Sequence, residues 1–161
     1  MKKQKGFSLI ELLIVVAIIL IIAAIAIPNL IRSKMAANEA SAVASLRTIN
    51  TAEVVYSSTY SVPTVFAAAL VNLGPNGATC DTTFIPTSTQ ACLIDGALAT
   101  ATAAPGKSGY IFTYTGATGS YSVNADPVSR NSTGVRSFFS DQTAVIRQNS
   151  AAAAAATDSP I

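Results

Sequence analysis

The reading turns on one stretch: Phe7-Ser8-Leu9-Ile10-Glu11-Leu12-Leu13-Ile14-Val15-Val16-Ala17-Ile18-Ile19-Leu20-Ile21-Ile22-Ala23-Ala24-Ile25-Ala26-Ile27, closed by Pro28. It holds 21 residues and one charge, Glu11. At about 1.5 Å rise per residue, such a helix covers about 30 Å, the thickness of a bilayer's hydrocarbon core. Lys2, Lys3 and Lys5 precede it with no acid among them. That bias predicts a cytoplasmic N-terminus and an exported remainder; Arg32 and Lys34 on the far side weaken it without reversing it. A cleaved secretory signal is the competing reading, and Ala24-Ile25-Ala26 offers a small-x-small cleavage pattern. Against it, the apolar run exceeds the usual ~7–15 residues and contains a carboxylate.

Working outward, the whole chain of 161 residues is 50% hydrophobic and only 11% charged. An ordinary soluble domain carries roughly 25% charged residues. The length allows one modest domain, or one domain plus an anchor. There is no His and no Trp. Ser-His-Asp and Cys-His catalytic sets are therefore impossible, as is a His-ligated zinc site. The formal charge is +2, but three of the ten Lys and Arg lie in the first six residues, leaving seven against eight acids. A near-neutral remainder argues against a nucleic-acid partner.

Glu11 is the most informative residue. A charged carboxylate among apolar groups costs roughly 2.5–3.5 kcal/mol on insertion scales, so it usually has a partner. No basic residue follows Lys5 nearby in the same helix. An α-amino group or a neighbouring subunit could serve; a plain position among the lipid headgroups is the other reading.

Gly6-Phe7-Ser8-Leu9-Ile10-Glu11-Leu12 closely resembles the class III leader of type IV pilins and pseudopilins. The short basic leader, the Gly before a Phe, the Glu five residues beyond that Gly, and Pro28 after an Ala-rich stretch all belong to the resemblance. It is specific over about residues 1–60 and weaker beyond. It implies cleavage between Gly6 and Phe7 by a prepilin peptidase, N-methylation of Phe7, and assembly into a helical filament with Glu11 paired to a neighbour's N-terminus.

The expected fold is α+β: a long N-terminal helix packed against a C-terminal antiparallel β-meander. Residues 1–6 form the leader, 7–28 the membrane and filament-core helix, and 29–60 an amphipathic helix. From Ser8 to Tyr60 this helix would be about 80 Å long. Ile31, Met35, Ala42, Leu46, Ile49, Tyr56 and Tyr60 form one stripe, interrupted by Asn38 and Glu53. Ser33, Ala37, Ala40, Ala44, Arg47 and Thr51 lie opposite; they suit close helix approach or simply face solvent. Pro28 removes one backbone N–H and should kink or unwind the helix.

Residues 61–107 read as an irregular connection with turn signals at Asn76-Gly77 and Pro105-Gly106. Residues 108–148 read as the sheet. Tyr110–Tyr114 and Tyr121–Val123 flank a turn at Gly116–Gly119, and Val135–Ser140 and Ala144–Arg147 form a second hairpin around Asp141-Gln142. Residues 149–161 read as a flexible tail, since six alanines make no stable helix alone.

Other motifs carry little. Gly106-Lys107-Ser108 ends like a phosphate loop, but its first glycine position is Ala101. Asn131-Ser132-Thr133 is a glycosylation sequon by pattern only. Asp126 and Asp141 lack the clustered oxygen ligands of a calcium loop. No cofactor and no metal are expected, and no enzyme.

The expected function is that of a structural type IV pilus subunit. Its partners would be copies of itself, the prepilin peptidase and methyltransferase, and the inner-membrane assembly machinery. It would sit in the inner membrane with its head in the periplasm, then in the extracellular pilus of a bacterium. A type II secretion pseudopilin and a membrane-anchored periplasmic binding protein are the alternatives.

Cys80 and Cys92 are an even pair in an exported domain, which favours a disulfide. A loop of that size should contribute roughly 3 kcal/mol. Alkylation without reductant should leave both thiols unlabelled, and reduction should lower the melting temperature of the head.

Overall fold

A computed structural model describes residues 7–60, 66–77 and 79–161. Residues 1–34 and Met35–Ile161 form two units. The leader residues, Gly6 among them, and residues 61–65 of the connection lie outside the described residues.

Helix α1 spans Leu9–Thr59 and contains Pro28 in its interior. It continues through the proline, so the expected local unwinding does not occur there. Beyond Met35 the stripe behaves as its periodicity predicts: Ala42, Leu46, Ile49 and Tyr56 are buried. Ile31 is exposed and Met35 half-buried. The opposite line, Ala37, Ala40, Ala44, Arg47 and Thr51, is exposed.

The sheet is an antiparallel meander in the order β1-β2-β3-β4: β1 Tyr110–Ala117, β2 Ser120–Pro127, β3 Ser137–Asp141 and β4 Arg147–Asn149. The α+β expectation therefore holds. The first turn is tighter than the sequence suggested, because Gly116 and Ala117 lie within β1 and Ala117 pairs with Ser120. Gly119, at φ 83°, supplies the left-handed turn residue. The second hairpin is also displaced: its strands are Ser137–Asp141 and Arg147–Asn149. Asp141 Oδ1 accepts bonds from the Thr143 N–H and hydroxyl, which turns the chain locally and delays the return strand.

One sheet face packs on α1. Phe112, Val123 and Phe138 meet Leu46 and Ile49 in the core. Three polar groups on the buried side of α1 are satisfied by the sheet and its connections. Glu39 Oε1 accepts the Val135 and Arg136 N–H groups at 2.8 and 3.1 Å, and the Arg136 guanidinium reaches Oε2 at 2.7 Å. The Tyr121 hydroxyl donates to Asn50 Oδ1, while Asn50 Nδ2 donates to Ser140 Oγ. Glu53 is fully buried and meets Tyr114.

The connection expected to be irregular holds two single-turn helices, α2 Leu70–Leu73 and α3 Gly96–Ala99. It also builds core: Ala67, Leu70, Leu73, Ile94, Leu98 and Ala101 are buried. It shields the free edge of β1, where the Phe112 N–H donates to Ala101 O at 2.8 Å. Near the other end of that strand, a Cβ on Gly116 would stand 1.8 Å from Ala67 O. Cys80 and Cys92 are bridged, with Cα atoms 5.9 Å apart. The loop they close is fixed to α1 by the Tyr56 hydroxyl, which donates to Ser88 O at 2.8 Å.

The tail expected to fray folds back across the sheet. Arg130 donates to Ser150 O and Ala152 O, and Asn124 Nδ2 to Ala154 O. The Gln148 N–H donates to Ser159 O. Ala154 is buried. This cover explains why β3 is buried along both faces, from Ser137 to Ser140. The alanines still form no helix, as their short run dictates.

Two outcomes follow from these contacts. Arg130 also donates to Val135 O and Ser137 Oγ. Arg130→Ala should cost roughly 2–4 kcal/mol in urea unfolding of the full chain in detergent, by removing several charge-assisted bonds at once. For Glu39, burial pushes the carboxyl upward, but the Val135 and Arg136 N–H groups and the Arg136 guanidinium outweigh it and hold it below the usual 4.5. A depressed folded value stabilises the head above pH 4.5, and that stability is lost as pH falls through the folded value. Glu39→Gln should lower stability by roughly 1–3 kcal/mol at neutral pH. Its difference from wild type should close on acidification in the same unfolding assay.

Candidate functional site

The unit ending at Lys34 has no fold of its own to bury its apolar side chains. Phe7 is 79% exposed and Leu9 78%; the residues from Leu12 to Ile31 that carry large aliphatic groups are also exposed. Mean hydropathy in this part of α1 reaches 3.3 over 18 residues. Length and composition therefore suit a membrane span. Leu9, Leu12, Leu13, Val16, Ala17 and Leu20 outline a shallow apolar groove. Their spacing makes ridges and grooves of the kind that another helix can occupy.

Glu11 sits in the first turn of α1. The Ser8 N–H donates to its Oε2 at 2.9 Å, and the Leu12 N–H donates to Ser8 O at 3.2 Å to open the helix. Ser8 thus takes the N-cap position, and Glu11 stands three residues on. This is the glutamate half of a capping box, and a carboxylate there also faces the positive end of the helix dipole. The apolar surroundings of Glu11 point to a cation as its partner and do not point to Ser8. The Ser-x-x-Glu spacing at 8–11 was the available signal. Among the described residues no hydrogen bond reaches Glu11 Oε1.

The other singled-out residues do not join this group. Pro28 lies farther along the same helix. Cys80 and Cys92 belong to the head, where their bridge closes a loop. Asp126 and Asp141 sit in different strands, and among the described residues no three His, Cys, Asp or Glu side chains form a metal-holding group.

The head carries a cleft of about 410 Å³ beside the edge of β1, with Leu70, Val71, Thr100, Thr102, Phe112 and Tyr114 in its walls. Among the described residues its lining includes no acid, no base and no thiol. Tyr114 supplies the lone ionisable group, and burial together with Glu53 pushes that phenol far above its ordinary value.

Comparison with known proteins agrees with the N-terminal geometry. A family described as "Prokaryotic N-terminal methylation motif" matches residues 1–27. The type IV wide pilus major component PilA4 of Thermus thermophilus is 39% identical over 99 residues, covering 60% of this chain and 76% of the relative. The type IV major pilin protein PilA of Myxococcus xanthus is 49% identical over 51 residues, covering 32% of this chain and 23% of the relative. No solved structure matches. With an N-terminal methylation motif, an uncovered apolar helix and a pilin relative matched over three-quarters of its length, the chain belongs to the type IV pilin family.

Proposed function

We propose that the chain is a structural subunit of a type IV pilus that assembles through its N-terminal apolar helix. The observation that carries this reading is the uncovered surface of that helix. A row of Leu, Ile and Val side chains from Leu9 to Ile31 stays exposed, while the head buries its own core. Apolar area left in water costs roughly 25 cal/mol per Å². Lipid removes that cost before assembly, and neighbouring helices remove it afterwards. The work of such a protein is self-association, so no turnover is required. Both curated relatives are pilins, which favours a pilus over a secretion pseudopilin or an anchored binding protein.

The processing steps belong to the same proposal. A prepilin peptidase at the cytoplasmic face cuts between Gly6 and Phe7, and the new Phe7 amine is methylated. The head lies in the periplasm until the inner-membrane assembly machinery adds the subunit to an extracellular fibre. Pro28, lacking an N–H, marks where the filament-core helix can bend.

Glu11 has two tasks on this reading. Its Oε2 caps its own helix through Ser8. Its Oε1 is free to meet the Phe7 amine of a neighbouring copy in a staggered stack. Pairing neutralises two groups that are each costly in apolar surroundings, and a wrong depth leaves both unpaired, so the pair sets axial register.

Sheared-fibre yield measured against total cleaved subunit tests this. Glu11→Val should leave insertion and leader cleavage intact and sharply reduce or abolish incorporation. Glu11→Gln keeps an oxygen for the Ser8 N–H but loses the charge, so its yield should be intermediate. Mass analysis of the mature N-terminus should find methylated Phe7. A chain starting at Ile27 would identify a secretory signal and remove the filament reading. Normal fibre yield from Glu11→Val would show that packing alone sets the register.

A further inference from the structure

Glu53 lies on the buried face of α1 with no solvent exposure. Its Oε2 accepts the Ala67 N–H at 3.2 Å. Its Oε1 stands 2.5 Å from the Tyr114 hydroxyl oxygen, and that hydroxyl also stands 2.9 Å from Ala67 O. The short contact alone fits either protonation state of the acid. The second contact, to Ala67 O, decides between them.

A phenol carries one hydrogen. Beside a carboxylate, Tyr114 must spend that hydrogen on Glu53 or on Ala67 O, and the other contact is left as two facing lone pairs. With a proton on Glu53, each contact has its own hydrogen. Glu53 Oε1–H donates to the Tyr114 oxygen, and the Tyr114 O–H donates to Ala67 O. Among the described residues no ion pair involves Glu53. The titratable groups acting with Glu53 are Tyr56 of α1, Tyr114 of β1 and Tyr121 of β2, and burial pushes all three phenols above their ordinary value. Burial also raises the Glu53 carboxyl, against the opposing bonds from Tyr114 and Ala67.

We propose that Glu53 is a neutral carboxylic acid at physiological pH, the head of a hydrogen-bond chain through Tyr114 to Ala67 that clamps the connecting segment onto α1 and β1. Loss of its proton in alkali opens the clamp. The single Tyr114 hydrogen then goes to the stronger acceptor, the carboxylate, and Ala67 O loses its donor. Ala67 is fully buried and approaches β1 at Gly116, so this carbonyl has no water to turn to. The device makes the seating of α2 and the β1 edge depend on one proton.

The test uses the full mature chain in detergent, with ¹³C-labelled glutamate side chains in a Glu11→Gln background. Glu39 is then the one other glutamate. At neutral pH one carboxyl resonance should keep the shift of the protonated acid, and it should vanish in Glu53→Gln. Glutamine supplies an N–H toward Tyr114 and an oxygen for Ala67, so the variant should fold. A raised folded value gives stability that is full below pH 4.5 and is lost as pH rises through the folded value. The wild-type unfolding constant should therefore grow about tenfold per pH unit relative to Glu53→Gln, until Glu53 itself ionises. Hydrogen exchange at the amides of α2, whose seating the clamp holds, should rise in alkali faster in wild type than in the variant. Two carboxylate resonances at neutral pH, or an unfolding ratio that stays constant from about pH 5 to pH 8, would overturn the proposal. The wild-type resonance decides the question even if the variant does not fold.

Discussion

An apolar helix surface in water has to be covered, and α1 finds that cover within its own chain along only part of its length. From Ala42 to Tyr56 the sheet supplies it. From Leu9 to Ile31 nothing among the described residues does. Hydrophobic burial is non-directional and scales with area, so the uncovered part can be satisfied by lipid or by like helices without any change in its own sequence. That freedom suits a protein that lives first in a membrane and then in a fibre. The head's core is covered from within the chain.

Non-directional burial does not say where along α1 the sheet should sit. Three polar groups on the buried side of the helix do. Glu39 meets the Val135–Arg136 backbone, Asn50 meets Tyr121 and Ser140, and Glu53 meets Tyr114 and Ala67. Sliding the sheet by one residue would leave these groups unpaired in a dry interior, each at a cost of roughly 1–3 kcal/mol or more. A carboxylate with a guanidinium, an amide among hydroxyls and an acid among phenols are different chemistries, so each contact rejects the others' positions. At the opposite end of the chain, Glu11 takes a comparable place beside Ser8, where its exposed setting leaves one oxygen for an outside partner.

The sheet is closed off by segments that hold no strand of it. The connecting segment lies along the β1 edge through Ala101 and Ala67, and the C-terminal residues lie against β2 through Ala154, held also by Arg130, which bonds Ser137 of β3. Alanine suits the β1 edge because a small side chain lets backbone approach backbone. Unpaired strand edges invite association with other chains, and this cover restricts such pairing.

Local pattern made much of this legible. An unbroken apolar run, a 3.6-residue stripe and the alternating Tyr110–Tyr114 stretch are short-range signals, and each returned as α1 or β1. The even cysteine pair returned as a bridge. Glu11 was conspicuous because a charge in an apolar run is out of place, although its Ser8 partner went unnoticed. The polar interruptions of the stripe had no local explanation, since Thr133, which meets Asn38, and Tyr114, which meets Glu53, lie 95 and 61 residues away in the chain. The tail and the connection lacked periodicity for the same reason: their burial comes from distant strands, not from a repeating face. The sequence by itself determined which residues must leave water and with what period. Only the tertiary structure decided which buried polar groups meet, because pairing of a carboxyl with a phenol or a guanidinium depends on distances that the chain sets after it has folded.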